Sequence, residues 1–218
     1  MQGFGGGGAL AFSGLNDSEL GPAVPFSFEG LERQARELAS QPYVKPVVPE
    51  PDVLTAIDYD QYQKIKFRPE KSLMLDRAGK IPVQLFHLGK YAQDPVRISV
   101  VDDGKAREVV YSNTLFDVPE GHPARRLAAG AGFAGFRIMA DDLKTDWFAA
   151  MGASYFRTSG PFNQYGLSAR GVAIDTAMPT PEEFPRFSQY WLEGPSGDSS
   201  APLTIYGLLD GPSITGAF

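Results

Sequence analysis

The feature that most constrains this chain is a change of hydrophobic period across a proline-rich connector. Before it, Phe28, Leu31, Ala35 and Leu38 recur at helical spacing. The connector, PYVKPVVPEPDVL, carries prolines that fix φ and hold their preceding residues in extended backbone. Beyond it, YQKIKFRP sets Gln63, Ile65 and Phe67 against Tyr62, Lys64 and Lys66, a period of two. IPVQLFHLG and VRISVV continue in the same way. GFAGFRIMA, SYFRTSG, LSARGVAIDTA, FSQYWLE and LTIYGLLDG are further short β-branched and aromatic runs, each bounded by Gly or Pro. Such runs bury their apolar sides only by pairing into sheets, so the pattern predicts an all-β antiparallel sandwich or barrel.

The first element is a short N-terminal helix in FSFEGLERQARELASQP. Ser27 is placed as its N-cap, Phe26 and Leu31 as a hydrophobic staple, and Pro42 stops it. Its other face, Glu32, Arg33, Arg36 and Glu37, reads as solvated. Asp103-Gly104 marks a turn between two β-rich runs. PARRLAAGAG and DDLKTDWFAAMGA are the later helical candidates. Residues 1–24, opening MQGFGGGG, read as a flexible glycine-rich tail. GALAFSG there resembles the small-residue end of a secretory leader without its apolar core.

Composition excludes several chemistries. The chain of 218 residues has no cysteine, so thiolate zinc sites, disulfides and a cysteine nucleophile are out. Its two histidines do not make a histidine metal site; His87 reads as a structural strand residue and His122 as an exposed turn residue. No phosphate loop, HExxH or GxSxG elbow occurs, and no metal or cofactor is called for. The net charge of −6 argues against nucleic acid or an anionic membrane, and no run is long enough for a membrane span.

What remains is carboxylates, arginines and many aromatics, fifteen Phe and nine Tyr among them. Carbohydrate sites use these groups, with flat rings against sugar faces and charged or polar groups on hydroxyls. Asp175 follows the apolar run Val172, Ala173 and Ile174, which puts a carboxylate at a strand end beside Arg170. The plainer alternative has Asp175 accepting backbone N–H groups in the turn to Thr176. Asp210 lies in an Asp-Gly-Pro turn, and Glu182 and Glu183 follow a Pro-Thr-Pro turn. Arg137 and Arg157 read as strand arginines paired with carboxylates. Tyr190 and Trp191 could form a sugar platform or half of a core.

FSFEGLERQARELASQPYV, AIDYDQYQKIKFRPEKSL, VQLFHLG, GFAGFRI, GASYFR, YGLSARGVAIDTA, EEFPRF, YWLE and YGLLDGPSITGAF occur in the order seen in one family. From about Phe26 to Phe218 the chain resembles the periplasmic glucan biosynthesis proteins, the MdoG/MdoD (OpgG/OpgD) family. The resemblance implies a large two-sheet β-sandwich similar to galactose mutarotase, followed by a smaller immunoglobulin-like domain. It implies a periplasmic protein acting on osmoregulated glucans with a β-1,2-linked glucose backbone. Some members resemble inverting endo-β-1,2-glucanases with an Asp pair as acid and base. On that pattern Asp175 is the candidate base, with Asp210 in reserve. Tyr155, Tyr165, Arg170, Tyr190 and Trp191 are the candidate substrate contacts. The expected partners are a β-glucan and the membrane glucan synthase; a non-catalytic glucan-binding or assembly factor is the alternative. Compared with the family, residues 25–218 read as a partial sandwich domain, with the general acid and the immunoglobulin-like domain beyond Phe218. Met74 stands where many relatives carry Trp.

Overall fold

The computed structural model describes residues 14–76, 81–159, 165–195 and 202–218. Three α-helices come early: α1 (Phe28–Ala39), α2 (Pro51–Thr55) and α3 (Tyr59–Tyr62). The first seven strands are β1 (Val24–Pro25), β2 (Lys66–Phe67), β3 (Leu73–Met74), β4 (Pro82–Phe86), β5 (Arg97–Asp102), β6 (Lys105–Glu108) and β7 (Phe116–Asp117). The rest are β8 (Gly135–Met139), β9 (Asp146–Met151), β10 (Tyr155–Ser159), β11 (Tyr165–Arg170), β12 (Arg186–Glu193), β13 (Thr204–Asp210) and β14 (Thr215–Ala217).

These make two six-stranded sheets and a small pair. The first sheet runs β1-β6-β5-β12-β13-β14, the second β11-β10-β9-β8-β4-β3, and β2 pairs with β7. The neighbours are antiparallel except β5 and β12, which run parallel. The fold is therefore the expected two-sheet, all-β sandwich, with one parallel seam that the antiparallel expectation did not include.

Strand alternation decides which side chains meet between the sheets. Ile98, Val100, Tyr190, Leu192 and Leu209 face inward from the first sheet; Val83, Leu85, Phe136, Ile138 and Ala150 face them from the second. Aromatic pairs hold the two layers together: Phe136 meets Tyr190 edge-on at 5.2 Å, and Phe156 lies 5.6 Å from Phe187. Outward-facing Val101, Ala106, Trp191 and Leu208 make a second, smaller core under α1, with Leu31 and Ala35. Ser27 caps α1 as expected, its hydroxyl accepting from the Gly30 amide at 3.1 Å. Asp103 and Gly104 both take positive φ in the β5–β6 hairpin, the geometry that matches strand twist.

Three local expectations change. Asp146–Met151 is strand β9, paired on both sides, rather than helix. Its Phe148 and Ala150 point into the core at every second position, and two ladders outweigh the helix preference of its alanines. His122 is buried, not exposed: Nδ1 accepts from the Ala124 amide, and Nε2 lies 3.0 Å from the Gln61 carbonyl. Residues 1–13 of the expected tail lie outside the described residues, but residues 14–24 are part of the fold. Glu19 is buried there, bonded to Lys71 Nζ at 2.9 Å and to the Thr114 hydroxyl. Burial works to raise the Glu19 pKa, but the Asn16 amide, Lys71 and Thr114 together hold it below the ordinary value.

His87 has the structural role expected of it. It is buried, with Nδ1 against the Leu88 carbonyl and Nε2 2.7 Å from the Tyr111 hydroxyl. Burial lowers its pKa to about 4, although the Leu88 bond works the other way. The ring is neutral in the folded state, so below the unfolded pKa of about 6.5 protons favour the unfolded chain. Stability is complete above that value and falls as the pH drops toward 4, by about 2 kcal/mol at pH 5. Urea titrations at pH 7 and pH 5 should show this loss, and His87→Gln should flatten that part of the profile.

Candidate functional site

The second sheet has an outer face, and strand register fixes what stands on it. Gln84 and Arg137 are directly opposite on β4 and β8. Phe86 follows Gln84 on the same side of β4, and Trp147 and Met151 share a side of β9 by alternation. Tyr155 and Arg157 share a side of β10. Met74, opposite Pro82, occupies the edge of this face at β3.

Beside this face, α3 and the turn at 89–92 wall a groove of about 600 Å³. Ile57, Tyr59, Tyr62, Phe86, Tyr91 and Arg157 are among its lining. A smaller hollow of about 170 Å³, with Lys66, His87, Phe116 and Arg137, shares Tyr62, Gln63 and Phe86 with it as a common wall. The two hollows adjoin across that wall, and together they are the trough. Tyr59 is 65% exposed and Tyr91 75%, so both rings are open to a ligand. Lys90 Nζ lies 5.7 Å from the centre of the Tyr91 ring, and the Arg137 guanidinium lies 5.7 Å from that of Phe86. Burial raises the Tyr62 pKa to about 12, with Arg137 working against it, so the phenol stays protonated and able to donate.

Arg137 is held from behind. Its Nη2 donates to Gln84 Oε1 at 2.8 Å, and Gln84 Nε2 donates to Ser72 Oγ at 3.2 Å. Ser72 and Gln84 are both buried. The expected carboxylate partner for Arg137 is thus replaced by an amide. No Asp or Glu is among the described residues lining the trough.

The residues singled out in sequence are distributed differently. Tyr155 is half-buried on β10, on the same side as Arg157. Arg170 is the register partner of Tyr155, and Tyr165 that of Ser159; their side chains lie outside the described residues. Tyr190 is in the core, its hydroxyl donating to the Met151 carbonyl, and Phe136 and Phe187 flank its ring. Trp191 is on the other side of the molecule, stacked on Phe26 at 5.3 Å. It borders a separate groove of about 590 Å³ between α1 and the outer face of the first sheet.

Asp175 is exposed in the loop after β11, which is closed by the bridge between Ile174 and Glu183. Its Oδ2 accepts from the Thr180 hydroxyl at 3.0 Å, and its carbonyl accepts from the Met178 amide. Asp210 ends β13, with Oδ1 accepting from Thr215 at 2.8 Å. Glu183 ties these two regions together through the Ser213 amide and hydroxyl, at 3.0 and 2.6 Å. Glu182 accepts from the Ala177 amide within the loop. The two candidate catalytic carboxylates therefore stand on adjoining segments, while the aromatic trough is built from earlier parts of the chain. Tyr59, Tyr62, Phe86 and Tyr91 were missed in sequence. Their signal was weak, because α3 and the 89–92 turn carry no motif and reach the sheet only through folding.

The Asp175 loop is strained. Asp175 has φ 57° and Ala177 φ 59°, a left-handed conformation that costs a side chain roughly 1 kcal/mol or more. Glycine adopts it freely, so Ala177→Gly should raise the unfolding free energy by about 0.5 kcal/mol, read as a higher urea midpoint.

Residues 26–218 match the family model described as "Periplasmic glucan biosynthesis protein, MdoG". Among curated proteins, the chain is 48% identical over 210 residues to glucans biosynthesis protein D 2 of Ralstonia nicotianae, covering 92% of this chain and 39% of that protein. It is 47% identical to glucans biosynthesis protein D of Stenotrophomonas maltophilia, covering 91% and 38%. For glucans biosynthesis protein D of Xanthomonas oryzae pv. oryzae the identity is 45%, with 96% and 40% covered. The chain thus spans about two fifths of the length of these relatives.

Proposed function

Because this chain belongs to the MdoG family of periplasmic glucan biosynthesis proteins, we propose that its trough binds a glucan with a β-1,2-linked glucose backbone. The observation that carries this reading is the pair of exposed rings, Tyr59 and Tyr91, beside the hydrogen-bonding groups of Gln63, Lys90, Arg137 and Arg157. Flat rings take the apolar faces of glucose, and amide and guanidinium groups take its hydroxyls. A groove of about 600 Å³ is within the size range of small-ligand sites. In the periplasm, such a trough would hold nascent chains for the membrane glucan synthase.

Calorimetric titration of the 218-residue chain with linear β-1,2-gluco-oligosaccharides tests this. Tyr59→Ala and Tyr91→Ala should each weaken binding about five-fold, the loss expected for one ring contact. Unchanged affinity in both variants would remove the trough from the reading.

A second reading, an inverting endo-β-1,2-glucanase, is favoured by one observation. Asp175 is an exposed carboxylate in a strained backbone conformation, and strain of this kind collects at functional sites. In an inverting reaction Asp175 would take the proton from the attacking water. An acid across the cleft, roughly 6.5–9.5 Å away, would protonate the leaving oxygen. Asp210 is the reserve for the base, and Tyr155, Tyr165 and Arg170 would orient the sugar near it. Asp175→Asn should abolish the release of new reducing ends from β-1,2-glucan while oligosaccharide binding in the trough persists. Turnover near that of the unaltered protein would exclude Asp175 as the base.

A further inference from the structure

The charge of the trough is opposite to that of the chain. The protein carries a net −6, yet Lys66, Lys90 and Arg137 line the trough, with no carboxylate among its described residues. Elsewhere, sheltered cations are matched with acids: Lys71 lies 2.9 Å from Glu19, and Arg186 lies 3.7 Å from Asp94. Arg137 is treated differently. Its Gln84 partner fixes the guanidinium without neutralising it, and Ser72 fixes Gln84 in turn. The Phe86 ring supports the guanidinium, and Lys66 adds a second positive charge in the same hollow. Neutral hydroxyls do not require this arrangement. A fixed, un-neutralised guanidinium is the group best suited to a planar or tetrahedral oxyanion.

Accepting the trough as a glucan site, we infer that Arg137, aimed by the buried Ser72–Gln84 pair, is a subsite for an anionic group carried on a sugar, a carboxylate or a phosphate ester. Lys66 assists through its charge. A free oxyanion shares this chemistry, so the test separates the two sources.

Three ligands are titrated into the 218-residue chain at low salt: a linear β-1,2-gluco-oligosaccharide, the same compound oxidised at its primary hydroxyls to carboxylates, and inorganic phosphate. The oxidised sugar should bind about ten-fold tighter than the neutral one, the worth of one charge-assisted contact. Added salt should shrink that advantage, and Arg137→Gln should abolish it, bringing the two sugars to equal affinity even though both lose a hydroxyl contact; Lys66→Gln should reduce the advantage while neutral binding changes little. Phosphate should displace only the oxidised sugar. Should Arg137→Gln fail to fold, the exposed Lys66→Gln and the salt series carry the test. Equal affinity for the two sugars overturns the anionic subsite and leaves the glucan trough standing. Phosphate binding with no advantage for the oxidised sugar also overturns it. Failure of both sugars to bind removes the trough reading itself.

Discussion

The structure depends on the contact between two aromatic rows. Phe136 and Phe156 from the second sheet meet Tyr190 and Phe187 from the first, and the aliphatic residues around them complete an apolar interior. Burying that surface is the main favourable term in folding, and it forces the backbone groups of both layers to pair within the sheets. The outward positions are then free to differ. On the first sheet the apolar ones, Val101, Ala106, Trp191 and Leu208, take α1; on the second they carry Gln84, Phe86, Arg137 and Arg157 and border the trough. The trough thus borders the outer face of the sheet that α1 does not cover.

The large architecture was legible because strand alternation is a local signal. The strand runs, the capped helix and the Asp103-Gly104 hairpin each declare themselves within a few residues. Failures came where a distant partner decided the outcome. Asp146–Met151 contains two alanines and no β-branched residue, and it is a strand because β8 and β10 flank it. His122 looked like a turn residue, but the Gln61 carbonyl, far away in sequence, makes it interior.

The site was less legible than the fold for the same reason. Tyr190 and Trp191 are adjacent in sequence, which leaves a sugar platform and half of a core both open, and alternation sends one into the central core and the other beneath α1. The exposed tyrosines of the trough come from α3 and a turn, where no periodicity marks them. Arg137 could be identified as a strand arginine, but its neutral partner emerges only from the register of β4 and β8. Asp175 was placed at a strand end; β11 stops at Arg170, and a strained loop carries the carboxylate further out.

The parallel seam between β5 and β12 has a consequence for assembly. Ser99 and Gln189, which bond across it, are 90 residues apart, and β8 to β11 of the second sheet lie between them in the chain. Closing so long a loop is entropically slow and must wait for its partner strand. During vectorial synthesis, β5 therefore presents a bare edge until the sequence around Trp191 has emerged. The first layer is begun early and sealed late, which makes β12 the keystone of maturation.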